Sequence, residues 1–598
     1  MILPGVPCPS GDAGRSASSA RVPAPVGRRY LSSSFTGARE RRSLLAIQGV
    51  AFAAALLLAA GCAREVPIET VAPLRALAKS GHHPDLRWPE FRDIRSEVGR
   101  LYERADWQPL WLGGGRPTGA ATRLIARLAA ADSLGLDPGD YDATWLERRA
   151  AALAAQQSAP APNALARFDV GLSVAAVRFV SALHRGRVSP RVVHAQLFIP
   201  RTSLACEMAV DSLRDANQQG PILERLQPRL HHYQLLKNGL ARYRALARDS
   251  SLLPLAGMPP AARPGMRLHA AAQLRRLLAA TGDLQGDLAR GNAGGAVYSA
   301  DLVAAVKRFQ ARQGFSPDGV IGPETAERLN RPFSERIVQI ELALERFRWL
   351  PVSFPVPPIV VNIPAFQLYA FRGTTDREDE MLTMDVVVGG AFDTQTPVFA
   401  ANMRYLIFRP AWEVPVSIMK AEVGPRALAD PEYLKREAMI LLSGEGEHAR
   451  EVPPTRKNVE RIGTEVRVRQ LPGAKNALGL LKFLLPNAED IYLHDTPAKG
   501  GFASFKRDAS HGCIRLSDPV ALAAHVLRDQ PKWTVERIRA AMNGEDEKRV
   551  DLSGPVPVCI IYSTARAREN GEVNFYADVY GLDGELERLL RVGYPYPQ

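Results

Sequence analysis

From Asp85 to about Arg248, apolar residues recur every three or four positions. Examples are Leu124, Leu128 and Leu134, and then Leu165, Val170, Val174 and Val177. That spacing predicts amphipathic helices packed as a bundle, with turns at Gly113-Gly114-Gly115, Asp137-Pro138-Gly139-Asp140 and Ser189-Pro190 and a short linker at 158–162. A Pro-rich break at Met258-Pro259-Pro260 opens a second segment with two expected helices, Leu268 to Ala280 and Ser299 to Gln313. In the latter Leu302, Val306 and Phe309 share one face and Ser299 stands at the cap position. After a helical connector from Glu335 to Trp349 the period changes to that of strands, at Ile359 to Ile363, Gln367 to Phe371 and Met384 to Gly390. Between Ile418 and Ile462 the pattern is helical and charged again, and this stretch is expected to form a lid over the β core. The last segment alternates Tyr and Val around Asn570-Gly571, a β-hairpin signal. The pattern predicts a multidomain α+β chain: a helical scaffold at 70–255, a compact module at 260–331, a mostly β domain at 357–545 with an insertion at about 418–462, and a hairpin segment at 555–598.

A chain of 598 residues with 46% hydrophobic content is too long for a single core. Its formal charge of +13 falls to about +8 without residues 1–61, which carry seven Arg against Asp12 and Glu40. A mildly basic surface suits an anionic polymer. The cations are dispersed, without an RNA-binding aromatic motif or zinc spacing, which argues against nucleic acid as a partner. The cysteines at 8, 62, 206, 513 and 559 include no CxxC pair, so neither a metal cluster nor a dense disulfide framework is expected. Cys206 and Cys559 read as buried thiols that an oxidising compartment could pair. Arg39, Arg41 and Arg42 precede a nearly uncharged apolar run from Leu44 to Gly61, an export leader. The ending Leu58-Ala59-Ala60-Gly61-Cys62 resembles a bacterial lipoprotein processing site. That implies lipidation of Cys62, membrane association through the lipid and a periplasmic location. An uncleaved anchor or cleavage at a nearby small residue stays open, as does the true start site.

Candidate chemistry concentrates near position 500. Tyr492-Leu493-His494-Asp495 is followed, after fifteen residues counted from Asp495 to Ala509, by Ser510-His511-Gly512-Cys513-Ile514-Arg515. A free thiol is only a few per cent thiolate at neutral pH, so a nucleophilic cysteine needs a base or a cation beside it. His494, at an expected strand end, can supply the base to Cys513. Gly512 lacks a Cβ and lets the N–H groups of His511, Gly512 and Cys513 approach a developing oxyanion. His511, Cys513 and His494 do not form a zinc set, because no further ligand stands at metal spacing and a metal would occupy the nucleophile.

This register resembles the signature of L,D-transpeptidases, the YkuD-type catalytic domain. The run Val306-Lys307-Arg308-Phe309-Gln310 with Gly314-Phe315-Ser316-Pro317-Asp318-Gly319-Val320-Ile321-Gly322-Pro323 resembles the three-helix peptidoglycan-binding module of wall enzymes. Its marker positions are Phe309, Gln310, Phe315, Asp318, Gly319 and Gly322. The resemblance implies that Cys513 is the nucleophile, that His494 is the general base and acid, and that the backbone carbonyl of Asp495 holds His494 in its tautomer. Ser510 and His511 shape the turn, and Ser510 is also a substrate-binding candidate. Arg515 takes a position for substrate-carboxylate recognition or bracing, and Tyr492, Trp412 and Asn476 belong to the substrate cleft. For Tyr492 and Trp412, core packing is the competing reading.

The activity so implied is acyl transfer without a cofactor. The donor bond before the terminal D-Ala of a tetrapeptide stem is broken, and a diamino-acid side-chain amine is acylated to give a 3-3 cross-link. Its partners are peptidoglycan stem peptides and glycan, and carbapenems are expected to acylate Cys513. Other acceptors in such a family are proteins, D-amino acids and water. Two further classes remain: a non-catalytic wall-binding protein, and a cysteine endopeptidase, in which the Cys precedes the His rather than following it as here.

Overall fold

A computed structural model describes residues 68–194, 204–259, 261–285, 296–373, 377–390, 394–444 and 446–596. The expected leader and Cys62 lie outside the described residues.

The N-terminal region is helical around one long central element. Helices α1 (Val71–Ser80), α2 (Arg95–Glu103), α3 (Gly119–Ala129) and α4 (Ala143–Ala155) surround α5 (Pro162–Arg185). Helix α3 starts where the Thr118 hydroxyl accepts from the Ala121 N–H at 3.1 Å, satisfying an end donor. Helix α5 begins with Pro162 in its first turn, where the missing N–H is harmless. Leu124, Leu128, Leu165, Val170, Val174 and Val177 are all fully buried in the shared core. The Gly113 to Gly115 turn joins two short paired strands, Leu112–Gly113 and Arg116–Pro117.

Helix α6 (His231–Ala247) leads into the module, whose described helices are α7 (Ala271–Thr281), α8 (Ala300–Arg312) and α9 (Pro323–Asn330). Ser299 holds the cap position of α8, but its hydroxyl bonds the Asp301 carboxylate rather than a helix N–H. The connector α10 (Phe333–Arg348) has two buried faces, with Ile340, Ala343 and Leu344 in the module core and Leu342 in the β-domain core. Glu345 on α10 is completely buried. It accepts from the backbone N–H groups of Arg187 and Val188, and it pairs with Arg187 at 3.5 Å and Arg348 at 3.3 Å. This cluster ties the connector to the end of α5.

The β domain supplies strands β1 (Ile359–Asn362), β2 (Gln367–Ala370), β3 (Leu382–Gly389) and β4 (Phe399–Phe408). After the insertion come β9 (Leu481–Leu484), β10 (Leu493–His494), β11 (Asp508–Ser510), β12 (Ile514–Leu516) and β13 (Lys548–Ile561). Their order is β11-β3-β12-β10-β9-β4-β13-β1-β2, and β2 also pairs with β3, which closes the sheet on itself. The inside is filled by residues such as Val361, Leu368, Val386, Leu406, Phe483, Leu493, Ile514 and Ile560.

Two expectations need correction. The insertion is not purely helical: β5 (Trp412–Glu413), β6 (Met439–Ser443), β7 (Arg450–Val452) and β8 (Val466–Gln470) form a sheet of order β5-β8-β6-β7, backed by short helices over its own core of Val423, Leu441, Val466 and Val468. The C-terminal segment is more than a hairpin on the catalytic domain. Residues 548–561 are a strand within the main sheet and Leu582–Val592 is a helix, α11. The hairpin itself, β14 (Ala565–Ala567) and β15 (Val573–Phe575), buries Val573 and Phe575 with Tyr233 and Leu240 of α6. Cys206 and Cys559 are buried free thiols, as expected, in helix Cys206–Ser212 and on β13 respectively. Burial pushes the Cys559 thiol up to about 12.

Replacing one member of a buried ion cluster strands the others. Glu345→Ala is expected to lower stability by about 3–5 kcal/mol, read from the denaturant midpoint of the full chain. A loss below about 1 kcal/mol would show that Arg187 and Arg348 do not depend on it.

Candidate active site

Strand register assembles the site. Strands β10 and β12 are parallel, with His494 opposite Arg515 and Leu493 opposite Ile514. Strands β9 and β10 are antiparallel, with Lys482 opposite His494. Side chains alternate along a strand, so Tyr492 and His494, Cys513 and Arg515, and Lys482 share one face while Leu493, Ile514, Leu481 and Phe483 enter the core. The Ile514 N–H donates to the Tyr492 carbonyl at 3.1 Å, which sets Tyr492 beside Cys513.

His494 is buried, and its Nδ1–H donates to the Asp495 carbonyl. A carbonyl can only accept, so Nε2 keeps its lone pair. Burial, aided by the Arg515 charge, pulls the imidazole down to about 3, so it is neutral over the physiological range. The Asp495 carboxylate accepts from the Leu480 N–H at 2.9 Å and pairs with Lys499 at 2.6 Å. Gly479, at φ +63°, lies against it, and a Cβ there would come within 2.4 Å of the carboxylate. The turn before β9 therefore needs glycine to bring Leu480 to Asp495.

The Cys513 thiol donates to the Asp490 carbonyl at 3.8 Å. Burial raises it above the ordinary thiol range. The Tyr492 backbone and phenol donors and the charges of Lys482 and Arg515 oppose that rise. The resting pair is thus a neutral thiol and a neutral imidazole, with the means to stabilise a thiolate already in place. The Tyr492 ring lies edge-on to His494 with centroids 5.7 Å apart. The Trp412 indole, on β5, lies near the Tyr492 phenol.

The turn before the thiol is braced from several sides. Gly512 sits at φ +109°, a conformation that favours glycine. The Ser510 hydroxyl donates to the Cys513 carbonyl at 2.6 Å and accepts from the Gly512 N–H at 3.2 Å. Thr396 donates to the Gly512 carbonyl at 2.7 Å and accepts from the Gly389 N–H at 2.8 Å. Two expectations change here. The Gly512 N–H is engaged by Ser510, so of the three expected oxyanion donors only those of His511 and Cys513 remain candidates, and the Ser510 hydroxyl braces the turn rather than standing free for a substrate. Asn476 changes as well. It is almost fully buried, and its carboxamide donates to the Gln470 and Leu471 carbonyls and accepts from the Leu478 N–H. Its carboxamide is spent holding the turn. The His511 imidazole pairs with Glu422 of the insertion at 2.7 Å, which joins the insertion to the catalytic turn. Arg515 is partly buried without a carboxylate within ion-pair distance among the described residues, and burial lowers its pKa.

Lys482 was not among the expected residues. Its Nζ lies 3.8 Å from the Tyr492 ring centroid, and no ion pair holds it among the described residues; burial lowers its pKa. A lysine in the otherwise apolar run Leu481-Lys482-Phe483-Leu484-Leu485 was the available signal. In the module, Phe309 is a core residue. Gln310 binds the Asp318 carboxylate, the Val320 carbonyl and the Gly319 N–H, so it shapes the Asp318-Gly319 loop. Gly322 caps α9, and Phe315 lies half-buried beneath Arg328.

Three stretches of the chain match known protein families. Residues 358–545 match the family model of the L,D-transpeptidase catalytic domain, residues 270–329 match the "Putative peptidoglycan binding domain" model, and residues 96–240 match a scaffold domain model. A Haemophilus influenzae protein named "Putative L,D-transpeptidase" is 30% identical over 230 residues, which is 38% of this chain and 45% of that protein. The matched stretch thus spans less than half of that relative.

The electrostatics predict how the thiol reacts. Alkylation of Cys513 by iodoacetamide, followed by peptide mass mapping, is expected to be slow at pH 7 and still rising beyond pH 9. Lys482→Met removes a cation that favours thiolate, so the thiol pKa rises further and the rate at pH 8 falls roughly three- to tenfold. A rate plateau reached by pH 6 would mean a preformed thiolate–imidazolium pair and would contradict this reading.

Proposed function

We propose that this chain, whose residues 358–545 form a catalytic domain of the L,D-transpeptidase family, works as a peptidoglycan L,D-transpeptidase that makes 3-3 cross-links through a Cys513 thioester. The observation that carries the reading is a neutral His494 fixed through Nδ1 beside the thiol-bearing strand. Such an imidazole can take a proton, and it needs no third side chain to orient it.

In the first half-reaction His494 Nε2 accepts the Cys513 proton as sulfur attacks the carbonyl of the third stem residue. The negative charge moves to the carbonyl oxygen, facing the N–H groups of His511 and Cys513. Collapse expels the terminal D-Ala amine, to which His494 returns the proton, leaving a thioester. In the second half-reaction the side-chain amine of another stem attacks the thioester. His494 takes the amine proton and delivers it to the departing Cys513 sulfur. Lys482, Arg515 and the Tyr492 donors stabilise the sulfur whenever it carries negative charge. Trp412 and Tyr492 line the donor groove, and the insertion latched through His511 and Glu422 acts as its lid. The module at 270–329 keeps the enzyme on the wall, and the leader with Cys62 places it in the periplasm on a lipid anchor.

Incubation with disaccharide-tetrapeptide tests this directly. The full chain is expected to yield dimers lacking one D-Ala, and Cys513→Ala is expected to yield none. Tripeptide without dimers would make water the acceptor and overturn the cross-linking assignment. No Cys513-dependent product from folded protein would favour a wall-binding role alone.

A further inference from the structure

The two peptide groups that carry the candidate oxyanion donors are both gripped from behind. A trans peptide is planar, so its C=O and the following N–H point in opposite directions. The Ser510 carbonyl accepts from the Gly390 N–H at 3.0 Å and from the Thr394 hydroxyl at 3.2 Å, which fixes the direction of the His511 N–H. The Gly512 carbonyl accepts from the Thr396 hydroxyl at 2.7 Å, which fixes the direction of the Cys513 N–H. Two short pieces of chain, Gly389-Gly390 at the end of β3 and Thr394 to Thr396, therefore aim both donors.

These two pieces are themselves locked together. The Thr396 hydroxyl accepts from the Gly389 N–H at 2.8 Å. A Cβ on Gly389 would stand 1.9 Å from the Thr394 carbonyl oxygen, so the close approach needs glycine. The third link comes from far along the chain. The Tyr580 phenol donates to the Gly389 carbonyl at 2.6 Å and accepts from the Thr396 N–H at 3.2 Å. A phenol can donate once and accept as well, so this one hydroxyl satisfies both pieces. Burial raises its pKa, which keeps the donated proton in place.

Tyr580 lies between β15 and α11, beyond the residues 358–545 that match the catalytic-domain model. Its backbone N–H donates to the Tyr562 phenol at 2.9 Å, and that phenol donates to the Asp578 carboxylate. Asp578 also accepts from the N–H groups of Leu582 and Asp583, at 2.9 and 3.0 Å, and Asp583 pairs with Arg346 of the connector α10. The tyrosine thus stands on a network rooted in the connector.

We propose that Tyr580 is a positioning residue for acyl transfer: it clamps Gly389 to Thr396 and through them aims the His511 and Cys513 N–H groups at the oxyanion, which makes the C-terminal segment part of the active site. The inference rests on the thioester chemistry proposed above and adds to it a residue from outside the matched catalytic domain.

The test uses the full chain and two reagents for the same thiol, with mass mapping to confirm Cys513 as the modified residue. With p-nitrophenyl acetate, sulfur bonds to the carbonyl carbon, the carbonyl oxygen becomes negative, nitrophenolate leaves and the thiol proton passes to His494. With iodoacetamide, sulfur displaces iodide and no oxyanion forms. Tyr580→Phe removes only the hydroxyl. It is expected to slow the maximal rate of acetylation about tenfold, less than outright loss of an oxyanion donor, with the half-saturating ester concentration and the alkylation rate each within about twofold of the parent. Thr394→Val removes one of the two grips on the Ser510 carbonyl, is expected to slow acetylation about threefold without affecting alkylation, and decides the matter if Tyr580→Phe fails to fold. Acetylation unchanged, or acetylation and alkylation falling together, in Tyr580→Phe or in Thr394→Val should that variant stand alone, would overturn the proposal. Disaccharide-tetrapeptide assayed in parallel reports on the wall reading separately. A selective loss with the ester but no Cys513-dependent product from the stem peptide would remove only the substrate assignment, and dimers formed by Tyr580→Phe at the parent's rate with no selective loss would remove only the clamp.

Discussion

The register between β9, β10 and β12 is the constraint on which the site depends. Because side chains alternate along a strand, pairing Lys482 with His494 and His494 with Arg515 puts every polar group of the site on one face and Leu481, Phe483, Leu493 and Ile514 in the core. A slip of one residue would turn Lys482, His494 and Arg515 into the apolar core and expose the apolar set. The hydrophobic core of the sheet therefore enforces the catalytic arrangement. The packed turn of Gly479 against Asp495 and the hydrogen bonds of Ser510 and Thr396 around Gly512 then fix the ends of the strands.

Burial makes the Cys513 thiol and the His494 imidazole neutral at rest, and this suits the proposed acyl transfer. A charged imidazolium could not accept a proton, and a permanent thiolate would be open to oxidation. The cations that oppose the rise in the thiol pKa, Lys482 and Arg515, are themselves lowered by burial and sit on the same sheet face. Their attraction for sulfur is strongest when the sulfur becomes negative, which in the proposed mechanism is at the attack and at the release of the thioester.

Much of this was legible in the chain. The His494-to-Cys513 spacing, the helical period of the first region and the apolar runs of β1 and β3 each carry a direct local cause. The losses also have causes. Strand β13 is masked by Lys548, Arg549, Pro555 and Pro557, and it tolerates them because its register against β4 shifts between Asp551 and Val556. Helix α11 had helical spacing in Leu582, Leu586 and Leu589, but the alternating Tyr and Val before it led to a strand reading. Asn476 and Ser510 are polar residues near the thiol in sequence, and only the fold reveals their polar atoms bonded within their own turns. Lys482 and Glu422 lie 31 and 91 residues before Cys513, so no local pattern links them to it.

The most direct test of the central claim is rapid acid quenching of the full chain with disaccharide-tetrapeptide, followed by mass mapping of the modified peptide. The account predicts a disaccharide-tripeptide acyl group attached to Cys513, formed with loss of D-Ala and consumed when an acceptor amine is supplied. Product accumulating with Cys513 unmodified at every quench time, or an acyl group carried on another residue, would contradict it.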